Sequence, residues 1–154
     1  METLEGRVVL VTSGGTPVGR AVALALAARG ARIVVAGPEE RPLGETVGEI
    51  AYGGGKARHV VGDLRDAAAV AAAVDRAVEV FGGLDACIVA DDDAMSAECT
   101  LRTVAPRLRG AGRMVACGAA GAGASGALQC DVVAPSGHEP EVVAERVVAR
   151  LAGA

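Results

Sequence analysis

The sequence predicts a doubly wound parallel α/β sheet. Short apolar, β-branched runs alternate with longer stretches rich in Ala, Leu and Val. The strand-like runs are continuously apolar, as in a sheet covered on both faces. Gly-rich turns and helix-stop glycines separate them.

The elements follow in order. Residues Arg7 to Thr12 are predicted as a buried strand, followed by the turn Ser13-Gly14-Gly15-Thr16-Pro17. Val18 to Arg29 is a helix, with Pro17 near its first position and Gly30 as its stop. Ala31 to Ala36 is the second strand. Pro42 to Ala51 is a weaker helix, interrupted by Gly44 and Gly48. Arg58 to Val61 is the third strand. Ala67 to Phe81 is the clearest helix, with Asp66 as its cap and Val70, Val74, Val78 and Phe81 on one face. Leu84 to Ala90 is the fourth strand, and Ala97 to Arg109 a helix containing Pro106. Arg113 to Cys117 and Leu128 to Ala134 are the fifth and sixth strands, and Glu139 to Leu151 is the closing helix. No internal repeat is present. One low-complexity stretch, Gly118 to Ala127, contains only Gly, Ala and Ser, where a crossover helix should join strands five and six.

A chain of 154 residues fits one domain with a core of its own. With 51% hydrophobic residues and a mean hydropathy of +0.39, disorder is excluded. Tyr52 and Phe81 are the only aromatic residues, so the core must be aliphatic and a stacking platform for single-stranded nucleic acid is excluded. A net charge of −4 argues against a phosphate-backbone binder, so no nucleic-acid partner is expected. Lys56 is the only lysine, which gives a catalytic lysine one address. Cys87, Cys99, Cys117 and Cys130 form no CxxC pair and read as small buried hydrophobes in a reducing compartment. No apolar run is long enough to span a bilayer, and Met1-Glu2-Thr3 does not open a signal peptide. The expectation is a cytoplasmic protein with no membrane partner.

Several segments together resemble the short-chain dehydrogenase/reductase family. "LEGRVVLVT", its Gly-rich turn and "VGRAVALALAARGARIVVAG" are similar to that family's opening. "GGKARHVVGDLRD" resembles its third strand and adenine-contacting Asp, here Asp63. "VEVFGGLDACIVA" resembles the approach to its fourth strand, and "TVAPRLRGAGRMV" the end of its fourth helix and its fifth strand. "DVVAPSG" resembles its sixth strand and the Pro-Gly turn near the nicotinamide. The resemblance implies a single truncated Rossmann-fold domain over residues 1–154, with about six strands and the helix after strand five missing.

The chemical positions depart from the family pattern. Its phosphate turn, T-G-x-x-x-G-x-G, here reads Thr12, Ser13, Pro17 and Gly19. Pro17 lacks an N–H where the backbone should approach a pyrophosphate. Gly37-Pro38 stands where an acid or Arg usually selects between NAD and NADP. Val89-Ala90-Asp91-Asp92 replaces Asn-Asn-Ala-Gly. Ala119, after Gly118, stands in place of the catalytic Ser. The helix carrying Tyr and Lys is deleted, as are about half of the preceding helix, with its Asn, and the last strand. Tyr52-Gly53-Gly54-Gly55-Lys56 matches Y-x-x-x-K literally. That chemistry needs both side chains one helical turn apart, and three glycines argue against a helix there.

Polar groups expected at the carboxyl ends of the strands are Ser13, Thr16, Asp63, Asp91, Asp92, Asp93, Ser136 and His138. Asp91, Asp92 and Asp93 could form a general acid or a Mg²⁺ site, or else a solvated loop with a helix cap. No metal site is expected. His138 is a candidate base or a loop histidine, and His59 is packed or at the rim. If a nucleotide binds, Ser13, Thr16, Gly19, Asp63 and Leu64 should line its path; NAD(P) binding is expected to be weak or absent.

Three functions are open. The first is a catalytically degenerate family member acting as a structural or regulatory partner of an active ketoreductase, without competent NAD(P)-dependent redox activity of its own. The second is a lyase, cyclase or isomerase using Asp91–Asp93 and His138 in the former cofactor crevice. The third is a binder of a nucleotide or other small molecule. Assembly as a homo-oligomer, or with a full-length relative, is expected through a thin sheet face where some of Val89, Val115, Cys117, Cys130 and Val132 should be left under-covered.

Overall fold

The computed structural model describes residues 4–90, 94–108, 113–116, 130–132 and 144–148. Six strands form one sheet: β1 (Val8–Thr12), β2 (Arg32–Gly37), β3 (Lys56–Val61), β4 (Ala86–Val89), β5 (Arg113–Ala116) and β6 (Cys130–Val132). Their order is β3-β2-β1-β4-β5-β6, and every pairing is parallel. The chain leaves β1 first toward one edge and later toward the other, so the switch point lies between β1 and β4.

Alternation along β1 divides the core in two. Val9 and Val11 face α1 (Pro17–Ala28) and α2 (Glu40–Tyr52), where Val22, Ala23, Leu26, Leu43 and Ile50 are buried. Val8 and Leu10 face α3 (Ala67–Phe81) and α4 (Ala94–Val104), where Val70, Ala73, Val74, Ala77 and Val104 are buried. This is the aliphatic, two-faced core that continuous apolar strands require.

Helix α1 begins at Pro17, whose missing N–H is harmless in a first turn. Helix α2 is longer than the sequence predicts despite Gly44 and Gly48, because Leu43, Thr46 and Ile50 form a buried stripe at helical spacing. Helix α3 spans the predicted residues, and the Asp66 carboxylate accepts the Ala68 N–H at 3.0 Å. Its buried face differs in one residue: Val78 is 46% exposed. At about 100° per residue it sits roughly 80° from Val70, at the margin of the buried arc, whereas Phe81 falls inside it. Helix α4 starts before Ala97 and ends at Val104, where a 3-10 turn, Ala105–Arg107, carries Pro106. A proline inside the helix would lose a hydrogen bond and clash one turn back.

Two of the five residues on the face expected to be thin, Val89 and Val115, are fully buried. Val89 packs in the α3–α4 cluster with Val104, so the short α4 still covers β4. Val115 packs with Ala144, Val147 and Val148 of the helical segment 144–148, here α5, which covers β5 from the other face. Cys117, the side chains of Cys130 and Val132, and the tract 118–127 with its missing helix lie outside the described residues. Among the described residues, Cys87 is buried and Cys99 half-buried, and neither is in a disulfide. Also among them, no helix is long and apolar enough to cross a membrane.

Candidate ligand site

The site is built at the carboxyl end of β1. Thr12 donates its hydroxyl to the Ile88 carbonyl at 3.4 Å and accepts the Ala90 N–H at 3.0 Å, tying β1 to β4 across the switch point. Ser13 follows in the left-handed region, at φ +54°. The chain then folds back: the Gly14 N–H reaches the Ala36 carbonyl at the end of β2, and the Thr16 N–H reaches the Ser13 carbonyl at 3.0 Å.

Thr16 caps α1. Its hydroxyl donates to the Ser13 carbonyl at 2.7 Å and accepts the Gly19 N–H at 3.2 Å, so both of its roles are used inside the turn. Gly19 makes this closure possible. A Cβ there would lie 2.7 Å from the Ser13 carbonyl carbon and 3.0 Å from the Gly14 Cα, both backbone atoms. The turn is also held from α2, where the Thr46 hydroxyl donates to the Gly14 carbonyl at 2.8 Å.

Beside this turn lies a cavity of about 450 Å³. The turn supplies Ser13, Gly15 and Thr16; the end of β2 supplies Gly37, Pro38 and Glu39; the start of α2 supplies Pro42 and Leu43. The loop after β3 adds Asp63, Leu64 and Arg65, and Ser96 closes the wall from α4. The volume falls in the range of small-molecule sites, and the mix of apolar wall with few polar groups is typical of them.

Asp63 and Arg65 form a local unit. The guanidinium meets both carboxylate oxygens, at 3.2 and 3.3 Å, and the Arg65 N–H donates to the same carboxylate at 3.0 Å. These contacts, the side-chain bond first, hold the Asp63 carboxyl below the ordinary aspartate range.

Of the predicted site residues, Ser13, Thr16, Asp63 and Leu64 come together on this wall. Gly19 is not on it and acts through the turn. Asp91, Asp92, Asp93, Ser136 and His138 lie outside the described residues. His59 sits half-buried on β3, with Nε2 4.0 Å from Glu40 of α2. Glu39, Pro42, Leu43, Arg65 and Ser96 were not singled out by sequence. Glu39 and Arg65 each stand two residues beyond a recognisable position, which is a usable signal; Ser96 has none.

The only tyrosine and the only lysine are both placed. Tyr52 ends α2 and is 95% exposed, Gly53 caps the helix, and Lys56 opens β3. They lie on different elements at the amino end of the sheet, and neither lines the cavity. The Y-x-x-x-K match is therefore not a catalytic pair.

Comparison with known proteins gives a consistent result. The profile of the short chain dehydrogenase family matches residues 7–90. The chain is 37% identical over 112 residues to hydroxysteroid dehydrogenase-like protein 2 of Homo sapiens, covering 68% of this chain and 27% of that protein. It is 43% identical over 83 residues to versicolorin reductase of Emericella nidulans, covering 53% of this chain and 31% of that one. The chain thus spans about a quarter to a third of the length of these curated relatives. A metagenomic short-chain oxidoreductase solved in complex with NADP superposes with a TM-score of 0.83 at 22% identity, covering 97% of this chain and 92% of that one, a likeness of fold.

Proposed function

This chain belongs to the short-chain dehydrogenase family, and from that premise we propose that it is a redox-silent member, a regulatory partner subunit that binds a small ligand in its crevice. One observation carries the reading: the only tyrosine and the only lysine, Tyr52 and Lys56, stand away from the crevice. Carbonyl reduction delivers hydride to the carbon and needs a proton donor beside the carbonyl oxygen, and such a donor is worth orders of magnitude in rate. No Tyr or Lys of this chain can supply it.

The dinucleotide that the family implies fits the crevice only in part. Leu43, Leu64 and Pro42 offer apolar wall to a base, and Asp63 and Ser13 offer acceptors to a sugar. The pyrophosphate end is short of donors, because Pro17 has no N–H and the Thr16 cap takes the Gly19 N–H. What supports a binding role is the cavity itself, built by five separate segments around a hydrogen-bonded turn. A regulatory role needs a partner that reads the bound ligand, and an active full-length reductase of the same fold suits it.

Two measurements test the reading. The purified chain should not oxidise NADH or NADPH with a panel of ketones and aldehydes, while a co-expressed full-length reductase should co-elute with it in light scattering. Turnover by the pure chain, whether or not it survives Tyr52→Phe and Lys56→Ala, would overturn redox silence. A monomer that ignores every co-expressed relative would overturn the partner role.

A further inference from the structure

We propose that the open β3 edge of the sheet pairs antiparallel with the same edge of a second copy of this chain, giving a two-fold dimer with one continuous sheet. The inference stands whether or not the crevice holds a ligand.

The backbone supplies the first ground. Strand β3 ends the sheet and pairs only with β2. The Gly62 N–H turns inward to the Gly37 carbonyl at 2.8 Å, so by alternation the backbone groups of Ala57, His59 and Val61 turn outward. At Ala57 the edge is closed, because its carbonyl accepts from the Arg58 guanidinium at 2.8 Å. Exposed Lys56 and Arg58 guard this half, as charges guard natural sheet edges. The other half, His59-Val60-Val61, has no such guard, and Val61 is 47% exposed. An unguarded edge is a template for another strand.

A second copy suits that template. The register that uses only the unguarded half sets His59 against Val61 of the second copy, with N–H···O bonds exchanged on both sides of the axis. The axis passes at Val60, which meets its own counterpart as a β-branched cross-strand pair. Charge favours the same arrangement. Among the described residues, no carboxylate pairs with Lys56 or Arg58. The other end of the edge lies among exposed Glu39, Glu40, Asp63 and Asp66, where Arg65 answers only Asp63 and Arg41 answers Glu45. Antiparallel pairing brings the basic half of each copy to the acidic end of the other.

Helix α2 leaves room for the approach. Arg20 of α1 meets Glu49, which marks the flank of α2 that faces α1. At about 100° per residue the opposite flank, toward the open edge, carries Glu40, Gly44, Val47 and Ala51. A Cβ at Gly44 would meet nothing within 4 Å, so packing inside the chain does not require glycine there, although glycine costs the helix about 1 kcal/mol. A second α2, running antiparallel across the axis, finds space at Gly44 and Ala51.

Light scattering and amide hydrogen exchange of the full chain test this. A dimer is expected, with the His59 and Val61 amides protected in it and exchanging freely once dilution yields the monomer. Val61→Pro removes an outward N–H that the single chain does not use, and proline is tolerated on such an edge. Each copy then loses a donor at the axis, so the dissociation constant should rise about tenfold or more. Gly44→Leu improves the helix and fills its flank, so it should block the dimer while raising the melting temperature of the monomer. That variant keeps the test open if Val61→Pro fails to fold. A chain that stays monomeric at millimolar concentration would overturn the inference. So would a dimer whose His59 and Val61 amides exchange freely, or one that folded Gly44→Leu leaves intact.

Discussion

Replacing Gly19 with alanine should destabilise the protein by about 1–3 kcal/mol, whereas the same replacement at Gly48 should stabilise it. A Cβ at Gly19 would stand 2.7 Å from the Ser13 carbonyl carbon and 3.0 Å from the Gly14 Cα. Both are backbone atoms, and the Ser13 carbonyl is pinned by the Thr16 N–H and hydroxyl at 3.0 and 2.7 Å. Relieving the clash means opening the turn. Overpacking costs about 1–3 kcal/mol, and losing the Thr16 cap costs roughly 1 more. Better helix propensity returns about 1 kcal/mol. For a chain of this length each kcal/mol shifts the melting midpoint by about 2–4 °C, so a fall of roughly 2–12 °C is expected. Gly48 is exposed on α2 with nothing within 4 Å of the added Cβ, so alanine there should add up to about 1 kcal/mol. Urea unfolding followed by far-ultraviolet circular dichroism suits a chain without tryptophan. Equal stability of the two variants would refute the close approach of α1 to the Ser13 carbonyl.

Asp66→Ala should cost about 1 kcal/mol in urea unfolding, because the carboxylate that caps α3 is lost. Ser13→Gly should stabilise by about 0.5–1 kcal/mol, since a non-glycine residue at φ +54° carries a left-handed penalty that exceeds the entropy cost of glycine; a raised urea midpoint at unchanged slope checks it. The Asp63 carboxyl should titrate below ordinary aspartates by NMR and move up in Arg65→Ala; its folded-state pKa is depressed, so its contribution to stability is present above the unfolded value and lost as pH falls through the folded one.

The parts of the fold legible in sequence are those decided locally. Helix α3 is bounded by a capping Asp66 and a left-handed Gly82, and both signals are written in the chain. The continuous apolar runs of β1, β2 and β4 announce a sheet covered on both sides. Helix α2 was under-read because two glycines lower its propensity, while its stability comes from burial of Leu43, Thr46 and Ile50. Cover over Val89 and Val115 was illegible because it comes from Val104 and from residues 144–148, distant in sequence. The site divides in the same way. Ser13, Thr16, Asp63 and Leu64 were readable from their places after strands. Ser96 reaches the wall only because α4 packs beside β4, which no local pattern reports.

The positions that match the family's motif best each have a folding reason of their own. Thr12 ties β1 to β4. Gly19 admits the Ser13 carbonyl beneath α1. Asp63 organises its own turn through the Asp66 N–H at its carbonyl and the Arg65 contacts at its carboxylate. A parallel sheet with a helix packed close over the first crossover needs these three residues whether or not anything binds beside them. The positions that differ, Ser13, Pro17 and Pro38, leave the fold intact, and Ser13 and Pro38 line the cavity. Family membership is therefore carried by the residues that build the switch point, and ligand chemistry by those that face the cavity. On the described wall that second set includes Ser13, Glu39, Asp63 and Arg65. The retained Gly19 answers to the closeness of α1 to the Ser13 carbonyl, and that closeness is a demand of the fold whatever the crevice holds.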